Sequence, residues 1–267
     1  VSNGVDRGGD PPPAAGRVDL AGLVWTLVRT DFKVRYHGTF AGFLWALAKP
    51  AAMFLVLMSV FSLLFARAPD YRLDLLVGLF LWDFFAESTK VGLLSLASKG
   101  YLLTKARFPA WILVATSLSN ALVTLFAFVV ALLAALLVLG RFPDPLRLAL
   151  FLLHLVEFAM IALGFALAAS VLFLRFRDLN QVWEVISQAG FFIAPVIYPL
   201  DILPERYHFW LYLWPPTPVI QFSRALLVHG AIPTFRANLL LGIEALVCLG
   251  VGALVFRRLA PRSAEYL

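Results

Sequence analysis

The 267-residue chain is 61% hydrophobic and only 14% charged, with a mean hydropathy of +0.87. That balance leaves too little polar surface for a soluble domain and points to a protein that crosses a membrane several times. The net charge of +6 then reads as basic loops facing cytoplasm and acidic lipid, not as a nucleic-acid surface.

Residues 1–18 are rich in Gly and Pro and lack the apolar core of a cleavable signal peptide, so they read as a disordered cytoplasmic tail. Everything from 19 to 267 reads as one membrane domain. Asp19 is a candidate helix cap. Leu20, Leu23, Val24, Leu27, Val28 and Phe32 recur at helical spacing, with Arg29 and Lys33 on the other face. This predicts an amphipathic helix over 20–36. A long apolar run follows, which favours a helix lying on the membrane surface over one packed on a soluble core.

Six spans are expected, at 40–66, 73–96, 110–139, 146–174, 182–198 and 238–256. The fold class is therefore an all-α integral membrane protein. Basic residues are denser in the segments placed inside, which hold Arg29, Lys33, Lys99, Lys105, Arg107, Arg175, Arg177, Arg257 and Arg258. The outer segments hold Arg67, Arg72, Arg141, Arg147, Arg206, Arg224 and Arg236. The bias puts both termini in the cytoplasm.

The loop at 97–109 lies between Gly100 and Pro109. Tyr101, Leu102, Leu103, Lys105 and Phe108 fit a short helix on the membrane surface, a lever for a partner; the alternative is a basic loop that only sets topology. The sequence "GYLLTK" at 100–105 lacks the second glycine and the hydroxyl of a phosphate loop. Any ATP hydrolysis then belongs to another polypeptide.

Charges within spans are costly and need partners or water. Lys49 falls within reach of the inner interface. Asp83, Glu87 and Lys90 share one helix face, where Glu87 and Lys90 are spaced to pair. They line a hydrated path or fix helix packing. His154 and Glu157 form a similar pair in the fourth span. The four histidines are scattered, and the single Cys248 excludes a disulfide framework and a cysteine metal cluster. No hydrolase or metalloprotease motif occurs, and no metal site is expected.

Aromatic residues make up 14% of the chain. Trp45, Trp82, Phe84, Phe85, Phe191, Phe192 and Tyr198 lie in or beside spans one, two and five, where rings stack on sugar faces while letting a polymer slide; lipid-facing rings are the alternative. Between the last two spans, 195–218 is apolar yet interrupted by Pro195, Pro199, Pro204, Pro215, Pro216 and Pro218. Bare backbone cannot face lipid. This segment is expected to dip into the outer leaflet as short re-entrant helices, or else to form an external amphipathic loop.

Three stretches carry a family resemblance: "DFKVRYHGTFAGFLWALAKP" at 31–50, "FLRFRDLNQVWE" at 173–184, and "FFIAPVIYPLDILPE" at 191–205 continuing into "PPTPVIQFSRALLVHG". Together they resemble the ABC-2-type permeases that export bacterial surface polysaccharides such as O-antigen, teichoic acid and capsule. The chain departs from that pattern at His37, Thr39, Ala41 and Lys49. The resemblance implies a homodimer in the bacterial cytoplasmic membrane with a channel between its copies. It also implies a separate ATPase dimer carrying ATP and Mg, and a lipid-linked glycan as cargo; the permease is itself no enzyme and holds no cofactor. By the same resemblance Arg29, Lys33, Lys99, Tyr101, Lys105 and Arg107 would meet the ATPase. Pro195, Pro199, Pro204, Trp210, Tyr212 and Trp214 would belong to the external gate. An ABC-2 exporter of a drug or small molecule, a membrane-embedded glycan-modifying enzyme and a channel-less scaffold subunit are the rival readings.

Overall fold

The structure, a computed structural model, describes residues 20–36, 42, 44–65, 70–105 and 108–263. The expected tail 1–18, Arg107, and His37, Thr39 and Ala41 at the start of the first expected span lie outside the described residues. The described elements are helices: α1 (Leu20–Tyr36), α2 (Leu44–Leu64), α3 (Tyr71–Lys99), α4 (Tyr101–Lys105), α5 (Trp111–Ser117), α6 (Ser119–Val138), α7 (Pro145–Arg175), α8 (Leu179–Ile193), a short 3-10 turn at Leu200–Ile202, α9 (Glu205–Tyr212), α10 (Pro216–Leu227) and α11 (Phe235–Ser263).

Four stretches are long and apolar enough to cross a membrane: Leu44–Leu64, Trp111–Val138, Pro145–Arg175 and Phe235–Pro261. The second comprises α5 and α6. Its break at Leu118 keeps helical torsions, φ −75° and ψ −12°, so the axis continues. The expected spans at 73–96 and 182–198 fall on α3 and α8, which are of a different kind. At 29 residues, α3 is about 44 Å long at 1.5 Å per residue, but it carries Arg72, Asp74, Asp83, Glu87, Lys90 and Lys99. With 15 residues, α8 is shorter and stops at Ile193, not at 198. Pro195 is the reason. It clashes with the helix carbonyl four residues back and forces its predecessor to extend; Ala194 has φ −66° and ψ 128°.

Turn chemistry sets the other ends. Gly140, at φ +68°, lets Arg141 N–H reach Leu136 O at 2.8 Å and its own N–H reach Leu137 O at 3.1 Å, closing α6 with a left-handed cap. Asp144 caps α7 by accepting from Arg147 N–H at 2.9 Å, with Pro145 in the first helical position. Those bonds from Arg147's backbone and side chain hold the Asp144 carboxyl below the usual carboxylate range.

At the centre, α7 packs on α3, α10 and α11. Small residues allow the close approach. A Cβ on Gly92 would collide with Ala166, and one on Gly164 would collide with the backbone of Cys248. Gly252 in turn lies against Gly164. The core between α3 and α7 holds Phe84, Phe85 and Phe158. By contrast α2 buries only Pro50 and Leu57, and leaves Leu55, Val56, Val60, Leu63 and Leu64 exposed.

One expectation for the outer segment changes. The prolines at 215–218 were read as ending structure, but Pro216 starts α10, where a missing N–H costs nothing. Pro216, Thr217, Ile220, Ser223, Arg224 and Leu227 repeat at three- and four-residue intervals, and that face is buried. The segment is thus partly core. The expected His154–Glu157 pairing is also replaced: His154 Nε2 meets Asn238 Oδ1 on α11 at 2.8 Å, because both side chains face the α7–α11 seam, where Asn238 lies nearer.

Candidate functional site

Three helices, α2, α3 and α8, enclose a cleft of about 890 Å³. Its walls are Met53 and Val56 from α2, Leu79, Trp82 and Ala86 from α3, and Trp183, Phe191 and Phe192 from α8. Lys49, Asp83, Lys90, Glu184, Ser187 and Gln188 supply the polar part. A smaller cavity of about 300 Å³ is lined by α1, α2, α3 and α6 and includes Arg35, Trp45, Phe80, Phe84, Glu87 and Phe128. Lys49 and Asp83 line both.

The aromatic wall has a rigid backing. Trp82 meets Phe191 edge-on at 5.7 Å and Phe85 at 5.8 Å. Behind them Phe85 stacks on Phe158 at 5.7 Å and meets Trp183 at 6.2 Å. Trp183 packs on Phe165 at 4.0 Å and donates its Nε1–H to Thr89 Oγ1 at 3.1 Å. Rings fixed by packing and hydrogen bonds offer flat apolar faces at low entropic cost.

Of the residues expected to line a channel, Trp82, Phe191 and Phe192 line the cleft. Phe84 and Phe85 are each 3% exposed and are core. Consecutive helical positions diverge by about 100°, and here both rings turn toward α7, with only Phe84 reaching the smaller cavity. Trp45, 63% exposed, also borders the smaller cavity. Tyr198 donates its hydroxyl to Phe192 O at 2.9 Å and so caps the end of α8.

The expected gate set is divided. Trp210 is exposed and pairs with Phe209 at 5.5 Å. Trp214 instead enters the core beside Phe85 at 6.0 Å. Gly190 makes its room, since a Cβ there would stand 2.5 Å from the indole. Pro195 is buried, Pro199 precedes the 3-10 turn, Pro204 caps α9, and Tyr212 ends α9, 6.1 Å from Phe222.

The intramembrane charges pair between helices. Glu87 meets Arg35 of α1 at 2.6 Å, and Lys90 meets Glu184 of α8 at 2.6 Å. The expected Glu87–Lys90 pair gives way because α1 and α8 each present an opposite charge to α3. Asp83 lies between the two cavities. In the expected coupling set, Arg29 and Lys33 are exposed on α1, while Lys99 is bonded to Asp31 of α1. Tyr101 and Lys105 on α4 form a cation–π contact at 5.5 Å. The Asp31–Lys99 pair therefore fastens α1 to the end of α3 from which α4 departs.

Two residues escaped sequence reasoning. Trp183 stood within a quoted motif without a role. Arg224 was counted as an external cation, although its place on the periodic face of α10 was the available signal. It is buried and donates to backbone carbonyls of Asp74, Pro195 and Val196.

Comparison with known proteins gives consistent relatives. The chain is 27% identical over 252 residues to the O-antigen export system permease protein RfbA of Klebsiella pneumoniae, covering 93% of this chain and 96% of that protein. It is 28% identical to the protein of the same name from Myxococcus xanthus, covering 91% and 95%. It is 24% identical to the polysialic acid transport protein KpsM of Escherichia coli, covering 88% and 92%. Residues 22–228, from the surface of α1 to the end of α10, match the ABC-2 type transporter family, and the chain belongs to that family of membrane permeases.

Proposed function

We propose that the chain is the permease subunit of an ABC transporter that exports a lipid-linked polysaccharide across the bacterial cytoplasmic membrane. The observation that carries this reading is the α2–α3–α8 cleft: rigid rings on one wall, scattered polar groups, and a side left open along α2. A sugar chain presents alternating apolar faces and hydroxyl edges. Such a surface slides past rings and polar side chains without one tight site. The names of the relatives support the same cargo class.

Six crossings then comprise α2, α3, α5–α6, α7, α8 and α11, with both termini cytoplasmic. The span at α8 is completed on the outer side by the re-entrant pieces of 195–218, which act as the external gate region. The uncovered apolar face of α2 suits a seam with a second copy, so that two clefts join into one passage. ATP and Mg belong to a separate ATPase dimer, which pushes on α1 and α4. The permease holds no cofactor. Opening proceeds by discrete repacking of helices, since packed cores do not stretch.

The test is reconstitution of the chain with its ATPase in proteoliposomes loaded with a lipid-linked glycan from the host. ATP-dependent protection of the glycan inside inverted vesicles is the expected result. Transport of small drugs but not glycan would favour the small-molecule exporter, and glycan modification without ATP would favour the enzyme.

A further inference from the structure

Arg224 lies on α10, apart from the charges of the cleft, and is 4% exposed. A buried guanidinium is costly unless its donors are used. Here Nε donates to Asp74 O on α3 at 2.8 Å, Nη1 to Pro195 O at 2.6 Å and Nη2 to Val196 O at 2.7 Å. The next carbonyl, Ile197 O, accepts from the Tyr71 hydroxyl at 2.8 Å. Three successive carbonyls of the turn after α8 are thus held from outside the turn.

The turn needs that help. Pro195 and Pro199 have no N–H to donate, so a helical ladder cannot continue through it. It also leads directly to Tyr198, whose hydroxyl closes α8 at Phe192 O. Phe191 and Phe192, one turn back, are cleft wall. The planar guanidinium fork reaches three separate carbonyls; the single nitrogen of a lysine does not. Gly78 on α3 makes room for it, because a Cβ there would stand 2.5 Å from Nη2.

We infer that Arg224 is a positioning residue for transport: by clamping the Pro195–Val196 turn to α3, it sets where the outer aromatic end of the cleft stands. The inference rests on the permease reading above. Arg224 touches no cargo. It acts through the turn, and Gly78 is part of the same device.

The experiment uses the full chain with its ATPase in proteoliposomes and compares Arg224→Lys, Gly78→Ala and the double variant with native protein. Each is also made in a Cys248→Ser, Phe192→Cys background, and the introduced thiol is labelled with a membrane-impermeant maleimide. Arg224→Lys keeps the charge and loses the fork. Gly78→Ala keeps the arginine and displaces it, a clash that falls on the flexible end of a side chain. Both are expected to lower glycan export about tenfold, the scale of losing one or two bonds to a charged group. Membrane abundance and ATPase assembly stay near native, and the thiol's labelling rate changes. The double variant is no worse than Arg224→Lys, since both act on one contact. Native export and labelling in Gly78→Ala and Arg224→Lys would overturn the inference. If Arg224→Lys fails to accumulate, Gly78→Ala decides alone. If native protein exports no glycan, the permease reading fails, while thiol labelling still decides whether Arg224 seats the wall.

Discussion

Lys90 on α3 donates to Glu184 on α8 at 2.6 Å, bridging the two helices that form the aromatic wall of the cleft. Both side chains are nearly half exposed, so the pair adds less than about 1 kcal/mol to stability. Its consequence is the spacing between α3 and α8. Lys90→Glu sets two carboxylates against each other and is expected to cut export with little change in Tm. Adding Glu184→Lys reverses the pair and restores export. A double variant as inactive as the single would remove the bridge from the mechanism.

Phe85 and Phe192 separate core from wall. Phe85→Ala leaves a hole beside Phe158 and Trp183 and should cost about 3 kcal/mol, read as lower Tm and lower abundance. Phe192→Ala, at an exposed cleft position, should leave Tm unchanged and reduce export. The opposite pattern would reverse the two assignments.

The seam of α7 and α11 depends on backbone contact at Gly164. Gly164→Ala drives a methyl into the Cys248 carbonyl, and a cost of about 1–3 kcal/mol follows from overpacking. Gly250→Ala, on the same helix as Cys248 and with open space around it, is the silent control. Thermal unfolding in detergent checks both.

Asp144 gives a pH dependence outside the membrane spans. Its carboxyl is held low by Arg147's backbone and side-chain bonds. A depressed folded pKa stabilises above the unfolded value, near 4, and the effect is lost as pH falls through the folded value. Asp144→Ala should therefore lower Tm at neutral pH. The gap to native narrows under acid and closes below the folded pKa. A gap that persists in strong acid would show that the cap is not the cause.

Lys105 sits on α4 over Tyr101, close to the Asp31–Lys99 tie between α1 and α3. Lys105→Glu should leave the permease folded but weaken its response to the ATPase, measured as ATP hydrolysed per glycan moved. Unchanged coupling would mean that α4 is only a topological loop.

Hydropathy and punctuation alone determined that this chain is helical and membrane-bound, and marked the Gly100, Gly140 and proline breaks. These are local properties: an apolar run needs only its own length, and a proline stops a helix whatever lies around it. The stop at Ile193 is legible in Pro195 once the restraint on the preceding residue is applied. The site was legible only in part, at Trp82, Phe191 and Phe192. Which charge meets Lys90, which way Phe85 turns and what Arg224 holds were decided only by the tertiary structure. Each depends on a helix distant in sequence supplying an ion, a ring or a bare carbonyl, and no periodicity within one segment specifies its neighbour.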